Sequence, residues 1–217
     1  MTSRFFTKNN YFDSIKQDPF QQSWGEYWHL KTQVYEPFCW NTGVFTCEEI
    51  ERIKVIGRRI GMNRAETHGS GQNCLEHRRS FTSWIQPNKH TAWIYQKLTS
   101  LVLENNEKFF NFDLTMLENL QFTYYNSSEE GCYKAHVDPT VWNLPHNRKL
   151  SIVMQLSDPS EYEGGDLLLH NSHDPMAIRK ERGMIVCFPS YTLHEVTPVT
   201  KGERYSLVAW VHGPKLR

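Results

Sequence analysis

From Leu117 onward, short runs rich in β-branched and aromatic residues recur, with turn-forming residues between them. The runs are LQFTYY, CYKAHVD, KLSIVMQL, DLLLH, MIVCFP, TLHEV and RYSLVAWV. Regular short strands punctuated by turns predict an antiparallel sandwich or barrel. Ahead of them the period is helical. Thr46-Cys47-Glu48-Glu49 has the S/T-x-x-E form of a capping box, in which two chain-end N–H groups are satisfied reciprocally. Ile50, Ile53, Ile56 and Ile60 follow at helical spacing and Gly61 ends the run. Residues 62–77 have no sustained period and read as a long loop. Arg78 to Ile85 alternates as one strand. Thr91 to Phe110 is a second helix, with Trp93, Ile94, Leu98, Leu101 and Val102 on its buried stripe.

Helices first and strands afterwards predict a mainly β fold with flanking helices packed on one side. The expected organisation is an aromatic N-terminal arm over 1–42 and a single domain over 43–217. Within that domain, 43–117 is helical support and 118–213 the β core. The arm's density of Trp, Tyr and Phe is unlike a disordered tail. It is expected to cover apolar surface of the domain, the alternative being a dimerisation arm. Lysine plus arginine number 24, as do aspartate plus glutamate, a balance that argues against a nucleic-acid partner. No apolar run is long enough for a membrane span. MTSRFFTKNNYF lacks the apolar stretch of a secretory signal. Cys39, Cys47, Cys74, Cys132 and Cys187 are odd in number and scattered, without C-x-x-C. They read as reduced thiols of a cytoplasmic protein.

One run carries chemistry. In YKAHVDP, His136 and Asp138 lie at i and i+2 of a strand, so both side chains leave the same face. Alone, such a pair is a common surface coincidence. His194 in FPSYTLHEV is the best third ligand. Two histidines and one carboxylate on one face, with coordination positions left open, suit non-haem Fe(II). Ten residues after His194 comes Arg204, with the turn-like PVTKG between them. A hairpin centred near Val199 would set 194 and 204 on facing strands, one strand apart. Arginine grips carboxylates in a bidentate fork. The arrangement suits a ligand with a metal-chelating end and a carboxylate tail. His170 and His173 form a rival pair in LLLHNSHDP, but with no convincing carboxylate partner they read as solvated loop residues. His212 has no partner visible in the sequence.

His136-x-Asp138, His194 and Arg204 resemble the H-x-D…H…R pattern of the Fe(II)/2-oxoglutarate dioxygenases. The stretches RKLSIVMQLSDPSEYEGGDLLL and RGMIVCFPSYTLHEVTPVTKGERYSLVAWVHGP resemble the prolyl 4-hydroxylase-like branch, especially its PKHD-type hydroxylases. The resemblance covers roughly 118–213. It implies a double-stranded β-helix (jelly roll) core with the site between its sheets. It also implies Fe(II), with His136, Asp138 and His194 as ligands, 2-oxoglutarate as cosubstrate, O2, and ascorbate as reductant. Arg204 and Tyr125 would bind the cosubstrate, Trp210 would wall the pocket from the strand face it shares with Arg204, and Gly164-Gly165 would form a tight turn. Trp142, after the ligand pair, would contact substrate or sit half-packed on the rim. Collagen-modifying members of the family usually carry lysine where this chain has Arg204, which weakens a collagen-like substrate.

The implied reaction is hydroxylation of an unactivated C–H, foremost a prolyl residue of a peptide or protein, with release of succinate and CO2. The alternatives are a small molecule or free amino acid as substrate, or a non-catalytic β-helix binding module. The nucleic-acid demethylases of the same chemistry have R-x-x-x-x-x-R where this chain ends in Trp210, which disfavours them. Residues 62–77 and PTVWNLPHN are the candidate lids.

Overall fold

The structure is a computed structural model that describes residues 36–65, 75–138 and 146–214. Trp142, all but the edges of the 62–77 lid, and nearly all of the aromatic arm lie outside the described residues. The elements in chain order are β1 (Cys39–Asn41), α1 (Cys47–Arg59), β2 (Asn63–Arg64), β3 (Arg78–Arg79), β4 (Phe81–Ile85), α2 (Ala92–Asn105), β5 (Met116–Leu117), β6 (Leu120–Asn126) and β7 (Cys132–His136). Then come β8 (His146–Gln155), β9 (Tyr162–Gly164), β10 (Leu167–Leu169), β11 (Met176–Ala177), β12 (Ile185–Pro189), β13 (His194–Val196) and β14 (Val199–Pro214).

Two sheets face each other. The larger runs β1-β12-β8-β14-β6-β4-β2, with β5 and β9 attached to β14; the smaller runs β11-β10-β13-β7-β3. From β6 onward the chain alternates between them: β6 large, β7 small, β8 large, β10 and β11 small, β12 large, β13 small, β14 large. That winding is a double-stranded β-helix. No helix among the described residues is long and apolar enough to cross a membrane.

Side-chain alternation sorts the large sheet into two faces. Leu150, Ile152 and Met154 of β8, Leu120 and Phe122 of β6, and Tyr205, Leu207, Ala209 and Val211 of β14 point outward into one apolar core with the helices. Ile50 and Ile53 of α1 and Ile94, Leu98, Leu101 and Val102 of α2 complete it. Each such buried side chain contributes about 1.5–3 kcal/mol. Contact is close enough that a Cβ on Gly57 of α1 would meet the Phe122 ring at 2.3 Å. At the start of α1 the capping box is formed: the Glu49 N–H donates to Thr46 Oγ1 and the Thr46 N–H to Glu49 Oε2. The alternate residues of the same strands face the small sheet, where Val153, Leu167, Val186, Phe188 and Val196 form a second core.

Several expectations need correction. Arg78–Ile85 is two strands, because the chain crosses between sheets at buried Ser80: β3 pairs with β7 and β4 with β6. The hairpin centred near Val199 does not form. β13 pairs with β10 and β7, whereas Val199–Gly202 pairs with β9, so His194 and Arg204 belong to opposite sheets. The loop of 62–77 contains β2, and His146-Asn147 of the second lid begin β8. The second helix ends its α-helical part at Asn105 and continues as a π-turn to Phe110, closed by left-handed Asn111. Cys39–Asn41, inside the expected arm, add an edge strand to the large sheet. There Cys39 and Cys187 are register partners, and the hydrogen bond of the Cys39 thiol to Cys187, then burial, holds that thiol far above its ordinary range.

Candidate metal and cosubstrate site

His136 ends β7 and His194 begins β13, and the two are register partners. Asp138 follows β7 by two residues, and its N–H donates to the Ser190 carbonyl at 3.1 Å. One ligand atom from each of His136, Asp138 and His194 lies within 4.8 Å of the others. Both imidazoles are oriented from behind. His136 Nδ1 lies 2.7 Å from the Lys134 carbonyl and His194 Nδ1 2.9 Å from the Thr192 carbonyl. A carbonyl can only accept, so each Nδ1 carries the proton and each Nε2 keeps its lone pair. Burial, then the neighbouring His194, pushes His136 down to about 4, which leaves it neutral at pH 7. Ser151 Oγ donates to Asp138 Oδ2 and lies 2.9 Å from Ser190 Oγ. Three donor atoms this close together, with supporting hydrogen bonds, fit a divalent first-row metal.

A bulge shapes the smaller sheet beside His136. Between His194 and Val196 of β13 the register shifts, so two steps on β13 oppose three on β7, from Tyr133 to His136. An odd offset on a regular strand would send these two side chains to opposite faces. Here their rings stack, with centroids 3.5 Å apart.

Arg204 lies across the cavity on β14. It is 1% exposed. Its Nη2 donates to Gln155 Oε1 at 3.0 Å and its Nη1 approaches Ser206 Oγ at 3.4 Å, while its Nε has no partner among the described residues. Its guanidinium lies 5.3 Å from the centroid of Tyr125, its register partner. Gly165 makes room: with φ of +62° it suits only a residue without a Cβ, and a Cβ there would come within 2.9 Å of Arg204 Cδ. A guanidinium buried this deeply, with no acid beside it among the described residues, fits a dicarboxylate cosubstrate. The cavity of about 120 Å³ that these groups line has room for a small organic acid.

Trp210 shares this wall, and Arg148 stacks on it at 3.8 Å. Arg148 is already matched, because its Nε and Nη2 donate to the two Glu118 oxygens at 2.5 and 2.7 Å. Glu118 Oε1, which accepts from Arg148 Nε, also meets buried His212, so His212 has a partner that its sequence context conceals. Burial alone would raise the Glu118 carboxyl, but His212 and Arg148 outweigh it and bring it down to about 2. His170 lies just past β10, partly exposed, with its Nε2 3.1 Å from Glu195 Oε1. His173 is fully exposed.

The sequence reading missed Ser151, Gln155, Tyr133 and Arg78. Ser151 and Gln155 were detectable in principle, since they alternate with the outward Leu150, Ile152 and Met154. Arg78 and Tyr133 were not, because their placement depends on the Ser80 crossing and on the β7 bulge.

Residues 120–212 match the sequence profile of the 2OG-Fe(II) oxygenase superfamily. A PKHD-type hydroxylase of Teredinibacter turnerae is 36% identical over 85 residues, 37% of this chain and 38% of that protein. One of Cupriavidus metallidurans is 33% identical over 138 residues, 60% of this chain and 59% of that protein. The chain thus spans less than two thirds of either relative. Among solved structures, a Pseudomonas putida prolyl-4-hydroxylase superposes with a TM-score of 0.66 at 20% identity, covering 82% of this chain and 92% of that one. A Trichoplax adhaerens prolyl hydroxylase, solved with a peptide fragment of the hypoxia inducible factor oxygen degradation domain, gives a TM-score of 0.67 at 16% identity, covering 96% and 94%. Both structural likenesses are of fold.

Proposed function

We propose, from the match of residues 120–212 to the 2OG-Fe(II) oxygenase superfamily profile, that the chain is an Fe(II)- and 2-oxoglutarate-dependent dioxygenase that hydroxylates a prolyl residue of a peptide or protein. The observation that carries the reading is the pairing of a His136–Asp138–His194 cluster with a buried arginine, Arg204, that has no acid partner among the described residues. When bound, Fe(II) and 2-oxoglutarate would supply the oxidising chemistry: the cosubstrate loses CO2 to become succinate, one oxygen atom of O2 enters that succinate, and the other enters the substrate C–H bond.

The chain's own residues hold, aim and exclude. His136 and His194 offer Nε2 because their Nδ1 protons are committed to backbone carbonyls. Asp138 offers its carboxylate while Ser151 fixes one oxygen. Arg204 takes the far carboxylate of 2-oxoglutarate; Gln155 and Ser206 hold its fork in place. Arg148 is the poorer candidate, since Glu118 occupies it. Tyr125 flanks the cosubstrate, and Trp210 closes the wall and keeps water away. The prolyl assignment draws on the PKHD-type relatives and the peptide-bound structural neighbour. Ascorbate as reductant and a cytoplasmic setting belong to the same proposal, the latter supported by four described cysteines that are all thiols.

The test is succinate formation with Fe(II) and 2-oxoglutarate, followed by mass spectrometry of a proline-containing peptide library. Addition of one oxygen atom to proline supports the reading. Succinate without peptide oxidation, together with oxidation of a free amino acid, moves the substrate to small molecules. Neither product under any condition leaves a binding module.

A further inference from the structure

Arg78 lines the same cavity from the other sheet. It is 8% exposed. Its register partner on β7 is Tyr133, and its guanidinium carbon sits 4.5 Å from the centre of that ring. The other partner of Tyr133 is the His136 imidazole, 3.5 Å away. Cation, phenol and imidazole therefore form one stack that ends at the proposed metal ligand. Arg78 Nε donates to Ser80 Oγ at 2.8 Å. Among the described residues, no Asp or Glu side chain forms an ion pair with it.

Three arginines thus border the cavity, and two of them have no acid partner among the described residues. Arg148 is neutralised by Glu118. Arg204 is unmatched and is assigned the cosubstrate. Arg78 is also unmatched, and the cosubstrate has no carboxylate left for it once one end is at the metal and the other at Arg204. Arginine cannot relieve the cost of burial by losing its proton. A cation–π contact with Tyr133 offsets part of that cost, and among the described residues no hydrogen bond from the Nη groups accompanies it. Their flat fork matches a carboxylate through two parallel hydrogen bonds. A passing peptide carbonyl would satisfy one N–H and leave the charge unbalanced.

We infer that Arg78 is a specificity-determining residue that receives a carboxylate of the substrate. The inference rests on the dioxygenase reading above and adds a substrate class to it: molecules with an acidic group near the oxidised carbon. An extended chain advances roughly 3.5 Å per residue. The stack places Arg78 one ring beyond His136, so the acidic residue of a peptide substrate would lie one or two positions from the target.

The experiment uses blocked peptides made in pairs, with Glu or Gln, and Asp or Asn, at each position flanking a central proline. Dissociation constants are measured by calorimetry without oxygen, on the full chain loaded with Fe(II) and 2-oxoglutarate, for wild type, Arg78→Gln and Arg78→Lys. The carboxylate member of the best pair should bind wild type about tenfold more tightly than its amide, a difference of about 1.4 kcal/mol. Arg78→Gln should erase that ratio and Arg78→Lys should keep part of it, a graded rescue that misfolding would not produce. The dissociation constant of 2-oxoglutarate should move less than about twofold, well within that 1.4 kcal/mol. Equal binding of acid and amide by wild type overturns the inference, as does a preference that survives Arg78→Gln. A loss of 2-oxoglutarate affinity in Arg78→Gln as large as in Arg204→Ala also overturns it, because Arg78 would then serve the cosubstrate. If no proline peptide binds, the prolyl reading fails by itself. The same comparison is then run with glutamate against glutamine and aspartate against asparagine, and a carboxylate preference that depends on Arg78 supports the inference while its absence overturns it.

Discussion

The two faces of the large sheet are built from alternate residues of the same strands, yet they do opposite things. On β14, Tyr205, Leu207, Ala209 and Val211 enter an apolar core against the helices, while Arg204, Ser206, Val208 and Trp210 line the cavity. On β8, Leu150, Ile152 and Met154 face outward, while Ser151 and Gln155 reach Asp138 and Arg204. One face gains stability from burial. The other carries Arg204, a buried cation with no acid partner among the described residues, and faces the metal-ligand cluster and Arg78 of the smaller sheet. The lesson is that register carries the function here: a slip of one residue on β14 would exchange Arg204 for Tyr205 and turn the site inside out.

The largest contrast should come from truncating the outer face. Phe122→Ala removes a fully buried ring that packs on Gly57, and should cost about 3–5 kcal/mol in urea unfolding. Iron and 2-oxoglutarate affinities of the molecules that remain folded should be unchanged. The inner face should behave in the reverse way. Arg204→Met should weaken 2-oxoglutarate binding by about 2–5 kcal/mol in calorimetry, by analogy with truncated charge pairs. Without ligand it should leave the protein as stable as wild type or more so, because an unmatched buried charge is gone.

A smaller effect is expected one layer behind the ligands. Ser151→Ala leaves Asp138 in place but removes the donor that fixes its Oδ2, and should weaken Fe(II) binding about 10–100-fold in a metal-competition titration. Acid should act at the edge of the same wall. The Glu118 carboxyl, held down to about 2, contributes stability that is fully present above its ordinary value of 4.5 and is lost as pH falls through that window. Unfolding free energies measured across it should fall for wild type and fall less for Glu118→Gln. The smallest change lies outside both faces: Thr46→Ala removes one half of the capping box and should cost about 1 kcal/mol, with no effect on ligand binding.

What was legible in the sequence follows the range of the interactions. The helix around Ile50 and Ile53 is set by a cap and a period, both local, and it forms where its sequence places it. The pairing of His136 with Asp138 was legible from a strand's two-residue repeat, but β7 ends at His136 and Asp138 is held just beyond it by its N–H bond to the Ser190 carbonyl. His194 could be picked out because its run is strand-like and its residue type is right. The failures are long-range. PVTKG looks like a hairpin turn, but Val199–Gly202 finds a better partner in β9, and the chain passes to the other sheet. The Ser80 crossing splits a run whose alternation is unbroken in the sequence. The Tyr133–His136 stack depends on a bulge that only the pairing with β13 creates. Glu118 joins Arg148 and His212 across 30 and 94 residues, with no local signal at any of them.

The central claim is that the inner face assembles a metal site from three side chains on the smaller sheet and its edge, ready for a chelating dicarboxylate. Anaerobic Fe(II) titration of wild type and of the Asp138→Ala/His194→Ala double variant, each with and without 2-oxoglutarate, tests it most directly. The account predicts one Fe(II) per wild-type chain, 2-oxoglutarate affinity that rises when iron is bound, and loss of both in the double variant while its fold persists. Stoichiometric iron retained by the double variant would contradict it.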